Sequence, residues 1–261
     1  MLQLLLEAQK GVELKEEIVA DESFAVQEES TLQETSVHKP INKLTDEDIT
    51  AQAMIFFFAG FDSVATLMCF MAYEIAVHPD IQTRLRNEIQ ETLHEHQGQL
   101  TYEVLLKMKY LDMVVSESLR KWPANVVVDR ECTKDYTIQP KLTGEVAVHL
   151  LEKSTVWIPI IGIHRNPEYY PDPENFDPER FNDENRHKIN SYVYLPFGLG
   201  PRNCIGSRFA LLEIKIVFFY LLQHFELVPT AKSQIPLKIS RQTFNLNAEG
   251  GFWFGLKRLY N

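Results

Sequence analysis

The residues with the clearest chemical meaning are ten in a row: Phe197-Gly198-Leu199-Gly200-Pro201-Arg202-Asn203-Cys204-Ile205-Gly206. A cysteine binds metal as its thiolate, which needs nearby dipoles to hold the charge. Cys204 stands in a glycine-bracketed loop directly before a helix-patterned stretch, Ser207 to His224. The positive end of that helix and its free N–H groups can therefore face the sulfur. Glycines at 198, 200 and 206 let the backbone approach a flat cofactor closely, and Arg202 can pair with a carboxylate at its edge. Taken alone, a single cysteine in a turn is more often a buried structural residue.

Three further groups could take part in chemistry. Gly60, Asp62 and Ser63 sit together in a long apolar run, where an ionised carboxylate is unusual. Glu117 and Arg120 are spaced i, i+3 and share one helix face, a pattern that also arises about once by chance in a chain of this length. Arg130 lies in Val128-Asp129-Arg130-Glu131, where it reads equally as an ordinary strand-edge residue.

The full loop pattern decides between the readings of Cys204. F-x-x-G-x-R-x-C-x-G resembles the cysteine loop of the cytochrome P-450 family of haem-thiolate monooxygenases, and five such positions coincide by chance roughly once in 10⁴ to 10⁵ chains. The resemblance implies that Cys204 is the axial ligand of haem iron, that Arg202 contacts a haem propionate, and that Phe197 and Gly206 belong to the same cofactor site. Other motifs follow in the family's order. Glu117-Ser118-Leu119-Arg120 is similar to its E-x-x-R, and Phe176-Asp177-Pro178-Glu179-Arg180-Phe181 to its P-E-R-F segment. By that likeness Glu117, Arg120 and Arg180 form a buried charge network that supports the cysteine loop, and Arg130 is a second propionate partner. Ala59-Gly60-Phe61-Asp62-Ser63 resembles A-G-x-[DE]-T, with Ser63 where Thr is usual. It implies a helix that opens at Gly60 beside bound dioxygen, with Asp62 and Ser63 relaying protons.

The elements that must position these residues are mostly helical. Thr45 reads as the N-cap of a long helix with Asp46, Glu47 and Asp48 in its first turn. Ala53 to Tyr73 is 21 residues with one charge, long enough to span a bilayer. Gly60, Asp62, Ser63 and Thr66 lie mid-span, and an ionised Asp is costly in lipid, so the expectation is a helix buried all round in a protein core. Further helices are expected over Asp80 to His94, Tyr102 to Met108 and Leu111 to Lys121, the last stopped by Trp122-Pro123. Short strands are expected at Val126 to Val128, Tyr136 to Ile138, Val146 to Leu150 and Val156 to Ile161, then irregular chain from Asn166 to Phe197. The tail from Leu237 to Leu259 reads as a hairpin around Ala248-Glu249-Gly250-Gly251. The fold class is mainly α with small β-sheets, and the resemblance makes it the C-terminal portion of the cytochrome P-450 fold.

Composition agrees with this division. Apolar residues are 45% and charged residues 24% of 261, the balance of an ordinary globular chain. The net charge of −10 argues against nucleic-acid binding. Residues 1–49 carry 12 acidic and 4 basic side chains, whereas the rest is nearly neutral. Residues 1–44 are thus expected to be the end of a helix, Leu2 to Lys10 with Gly11 as its stop, followed by an acidic flexible segment. By the resemblance, residues 45–261 are expected to be the haem-binding part of the domain, with the N-terminal half of such a fold expected to be absent. Cys69, Cys132 and Cys204 are too few and too scattered for a disulfide framework or a zinc site. No secretory signal is expected, because Glu7 interrupts the apolar start.

Two functions follow from the resemblance. One is a monooxygenase inserting one atom of O2 into a lipophilic small molecule. Haem b (iron protoporphyrin IX) is its cofactor, and electrons reach it from NADPH through a cytochrome reductase, with cytochrome b5 as an optional second donor. The other is a truncated, non-catalytic haem-binding fragment. Within microsomal relatives, His164-Arg165-Asn166-Pro167-Glu168-Tyr169-Tyr170-Pro171-Asp172-Pro173 and Gly250-Gly251-Phe252-Trp253 look most like the insect xenobiotic-metabolising type. That type implies the cytosolic face of the endoplasmic reticulum membrane for the full-length relative.

Overall fold

Thr45 starts the fold as the sequence suggests. Its hydroxyl accepts the Asp48 N–H (3.2 Å) and its own N–H donates to the Asp48 carboxylate (2.9 Å), so two end groups of the helix are satisfied reciprocally. The computed structural model describes residues 44–243 and 245–259, with Leu6 and Ala25. The expected helix over Leu2 to Lys10 and the acidic segment after it lie, those two residues apart, outside the described residues.

Among the described residues from Leu44 onward there are six α-helices and six short strands. The helices are α1 (Asp46–Val77), α2 (Pro79–Glu95), α3 (Tyr102–Leu106), α4 (Lys109–Lys121), α5 (Ile160–His164) and α6 (Ser207–His224). The strands are β1 (Val128–Glu131), β2 (Tyr136–Ile138), β3 (Val148–Leu150), β4 (Thr155–Ile158), β5 (Phe225–Pro229) and β6 (Phe254–Arg258), paired antiparallel as β1–β4, β2–β3 and β5–β6. Helix α6 has the bounds read from the sequence at both ends.

Three sequence expectations fail. The strand expected at Val126 starts at Val128, and the one expected to run to Ile161 ends at Ile158. Pro159 there cannot donate to a ladder and opens α5 instead. The tail is no closed hairpin: one bridge joins Ile239 to Ala248, and Phe254–Arg258 pairs with Phe225–Pro229. Leu227, on the partner strand, is core, so this pairing buries more apolar surface than a local hairpin would.

Helix α1 is the third. Its C-terminal half is core, with Phe70, Met71 and Ile75 fully buried, and Phe70 stacks on Trp122 at 4.4 Å. Its N-terminal half is largely exposed: Ile49 is buried, but Met54, Ile55, Phe57, Phe58 and Phe61 are 54–69% exposed. The helix is long and apolar enough to cross a membrane, and 22% of its apolar window is buried, so it is not the helix buried all round that was expected.

Two charged side chains, Glu88 half-buried and Lys215 buried, orient the elements around the core. Helix α4 starts at Met108, which offers no side-chain cap. Glu88 of α2 supplies one, accepting the Tyr110 and Leu111 N–H groups at 2.7 and 2.8 Å. Lys215 of α6, 1% exposed, pairs with Asp112 of α4 at 2.7 Å.

The two halves of α1 respond differently to substitution. Phe57→Ser and Phe61→Ser each change stability by no more than about 0.5 kcal/mol and reduce self-association. Phe70→Ala costs about 3–5 kcal/mol. Urea denaturation checks both, and a large loss from the serine variants would mean that the N-terminal half is covered.

Candidate haem-thiolate site

Cys204 lies in a loop whose shape comes from its own backbone. The Cys204 N–H donates to Phe197 O (2.8 Å), Asn203 N–H to Gly200 O (3.0 Å) and Gly198 N–H to Leu195 O (3.2 Å). Gly198 and Gly200 adopt φ of +75° and +83°, a region that penalises any residue with a Cβ. Phe197 packs on the core and anchors one end. Gly206 caps α6 without a side chain, and a Cβ there would stand 4.0 Å from the Cys204 sulfur. The thiol is exposed beside the positive end of α6.

The surroundings fit a flat apolar group that brings its own metal ligands. Ile205, next to Cys204 in the chain, and Phe209, in the first turn of α6, are 86% and 66% exposed and offer apolar surface. Among the described residues no cluster of three or more His, Cys, Asp or Glu could hold a metal. A single sulfur donor therefore suits an iron already held by a macrocycle, as in haem. The other cysteines offer less. Cys69 is half-buried, and burial pushes its thiol up, away from the thiolate. The Cys132 thiol donates to Lys134 O (2.9 Å) in a turn.

The expected charge network forms around the Glu117 carboxylate. Arg120 donates to it twice, Nε to Oε2 at 2.6 Å and a terminal nitrogen to Oε1 at 2.7 Å, with both side chains fully buried. The Asp177 N–H adds a third bond (2.9 Å), and Arg180 Nε stands 3.5 Å away. Burial pushes the Glu117 carboxyl above its ordinary range, and Arg120, then Asp177 and Arg180, pull against it. The remaining Arg120 donors reach the carbonyls of His164 and Pro173 at 2.9 Å and of Asn175 at 3.3 Å. Arg180 donates to Pro171 O and Asp172 O (2.7 and 2.8 Å), which fixes the irregular segment from both sides.

Of the other expected residues, Arg202 belongs to the loop, while Arg130 lies on β1 and Asp62 and Ser63 lie on α1. Arg130 is half-buried on β1 opposite Val156, and its guanidinium donates to Asp129 O at 2.7 Å. Arg202 is exposed. Asp62 is exposed on α1, and the Ser63 hydroxyl donates back to Ala59 O at 2.6 Å. The opening expected at Gly60 is not present: α1 continues as regular helix through it, because the glycine costs propensity without removing a backbone donor.

Sequence reasoning missed His164 altogether. Buried at the end of α5, it accepts the Leu195 N–H on Nε2 (2.8 Å), and its Nδ1 stands 3.1 Å from Arg120 O. Its ring stacks on Tyr194 at 5.6 Å. The partners lie 31 and 44 residues away, so no local spacing signals them.

Comparison with known proteins follows the same line. A family model described as cytochrome P450 matches residues 15–253. The chain is 49% identical to cytochrome P450 9e2 of Blattella germanica over 261 residues, all of this chain and 46% of that protein. It is 49% identical to probable cytochrome P450 9f2 of Drosophila melanogaster over 217 residues, 83% of this chain and 42% of the relative. It is 48% identical to cytochrome P450 3A18 of Rattus norvegicus over 199 residues, 76% and 38% of the two chains. The chain thus spans less than half the length of these relatives.

Two outcomes follow from the network. Arg120→Ala strands the Glu117 carboxylate and costs about 3–5 kcal/mol in chemical denaturation, while a variant of unchanged stability would remove the network from the fold's support. The second concerns pH. Burial lowers the His164 pKa from 6.5 to about 4, so the unfolded chain takes up a proton that the folded one refuses. The stability given by the neutral ring is complete above about pH 6.5 and is lost as pH falls towards 4, roughly 3 kcal/mol in all. Denaturation midpoints across that window test it against His164→Gln, which has no such slope.

Proposed function

The chain belongs to the cytochrome P450 family, and on that premise we propose that it carries the haem-binding part of a monooxygenase acting on a lipophilic small molecule. The observation that carries this reading is the exposed Cys204 thiol in a glycine-turned loop at the start of α6. When bound, haem b supplies the iron at which dioxygen is activated, and a thiolate ligand favours O–O cleavage.

The chain's own residues do the holding and the proton handling. Cys204 would hold the iron through its sulfur, with the positive end of α6 stabilising the thiolate. Arg202 and Arg130 would pair with the propionates, for which Arg130 would leave the Asp129 carbonyl. Phe197 and Gly206 shape the surface against the macrocycle. On α1, Asp62 exchanges protons with water, and Ser63 turns its hydroxyl away from Ala59 O to pass them on. A Cβ at Gly60 would meet nothing within 4 Å, so the glycine leaves that side of α1 clear. Serine lacks the methyl that narrows threonine's rotamers, which leaves the Ser63 hydroxyl freer.

Residues 45–261 form the haem-binding part, and residues 1–44 an acidic segment preceding it. Phe56 to Phe61, Pro123 to Val128 and Ala248 to Trp253 are mainly apolar, which suits a hydrophobic substrate. Kinship with insect relatives supports xenobiotic metabolism at the cytosolic face of the endoplasmic reticulum, with electrons from NADPH through a cytochrome reductase, and cytochrome b5 as a second donor. The exposed face of α1 favours a second reading, a haem-binding part that turns nothing over until further chain covers Met54 to Phe61. Reductase-dependent product formation by the 261-residue chain separates the two.

The ligand assignment has its own test. Cys204→Ala abolishes the thiolate-type Soret band of the reduced carbonyl complex, while Cys69→Ala and Cys132→Ala keep it. A Cys204→Ala protein with the band intact overturns the site.

A further inference from the structure

We infer that His164 is a positioning residue for the Cys204 loop, tying the last turn of the Glu117–Arg120 helix to the chain segment that ends at the thiol. The inference deepens the reading of Cys204 as the thiolate ligand and rests on it. A backbone N–H can only donate, so the 2.8 Å contact from Leu195 requires a bare Nε2. The proton of the neutral ring is then on Nδ1, which donates to Arg120 O at 3.1 Å. Arg120 returns the contact, its guanidinium donating to His164 O at 2.9 Å. Each residue thus binds the other's main-chain carbonyl, and α5 cannot slide along α4 without breaking both bonds.

From Leu195 the connection is continuous to the sulfur. Leu195 O accepts the Gly198 N–H, and Phe197 O accepts the Cys204 N–H. The neighbouring Tyr194 hydroxyl donates to Ser116 O of α4 at 3.0 Å. Two consecutive residues are thereby held by one helix, Tyr194 directly and Leu195 through His164. The Tyr194 tether keeps the segment docked when the imidazole is removed, so loss of His164 loosens the loop without unfolding the core. An ordinary core histidine would contribute burial alone, and any side chain of similar shape would replace it.

Glutamine and asparagine distinguish the two roles. The amide oxygen of glutamine can stand where Nε2 stands and accept the Leu195 N–H, whereas asparagine reaches only the Nδ1 position and the Arg120 carbonyl. Hydrogen exchange on the 261-residue chain reads the loop without any cofactor. In His164→Asn the amides of residues 195–204 exchange about tenfold faster, while those of residues 211–222 in α6 change less than about twofold. His164→Gln stays near the parent. In haem-loaded protein, His164→Asn lowers the thiolate-type Soret fraction at equal haem content about fivefold, and His164→Gln restores it. Equal behaviour of the two variants, or uniform acceleration across α6, overturns the positioning role. If the parent loses nothing on Cys204→Ala, the ligand assignment fails instead, and the exchange result still stands or falls by itself.

Discussion

The structure depends on one buried pair, Glu117 and Arg120. Removing two charges from water costs several kcal/mol for each, and only close geometry with every remaining donor satisfied offsets it. Here a bidentate contact supplies the geometry, and the carbonyls of His164, Pro173 and Asn175 take up the other donors. The pair can be this well satisfied only if α4, α5 and the irregular chain up to Asp177 lie where they do. The charge cost is therefore what specifies the arrangement, because any displaced segment would leave a buried donor or acceptor unmet.

The same logic recurs at smaller scale. Glu74 of α1, 1% exposed, accepts the Trp122 indole N–H and pairs with Lys121, both at 2.8 Å. Trp122 is in turn stacked on Phe70, so the residue that ends α4 is fixed by a charge and a ring from α1. Gln82 exchanges hydrogen bonds with both main-chain groups of Leu227, which sets the start of the β5–β6 pair against α2. Around the cysteine loop, polar groups set register, and the apolar core sets only proximity.

Helix α1 belongs to this core along only part of its length. Its inner half belongs to the packed interior, whereas its outer half carries Asp62 and Ser63 on a surface of exposed phenylalanines. A helix apolar on every side is stable only where every side is covered, and here the buried residues are Ile49 and those from Val64 onward. Asp62 and Ser63 thus lie where the described residues leave most of the helix surface uncovered, while the Cys204 loop is held by hydrogen bonds of its own backbone.

What was legible in the sequence was local. A capping box at Thr45, glycines at turns, i, i+3 spacing in Glu117 and Arg120, and a Cys directly before a helix are all physical devices completed within a few residues. They located α6 at both ends, the cysteine loop, and two members of the charge network. The tertiary structure decided whatever depended on a distant partner. Phe254–Arg258 pairs with Phe225–Pro229 because Leu227 already lies in the core, which no turn signal at Gly250-Gly251 reveals. Half of α1 is largely exposed because burial depends on neighbours, and hydropathy measures only the helix itself. His164 was only the first residue of a segment resembling the insect type until folding placed its two ring nitrogens between Arg120 and Leu195, since a side chain's hydrogen bonds belong to the space it occupies and not to its place in the chain.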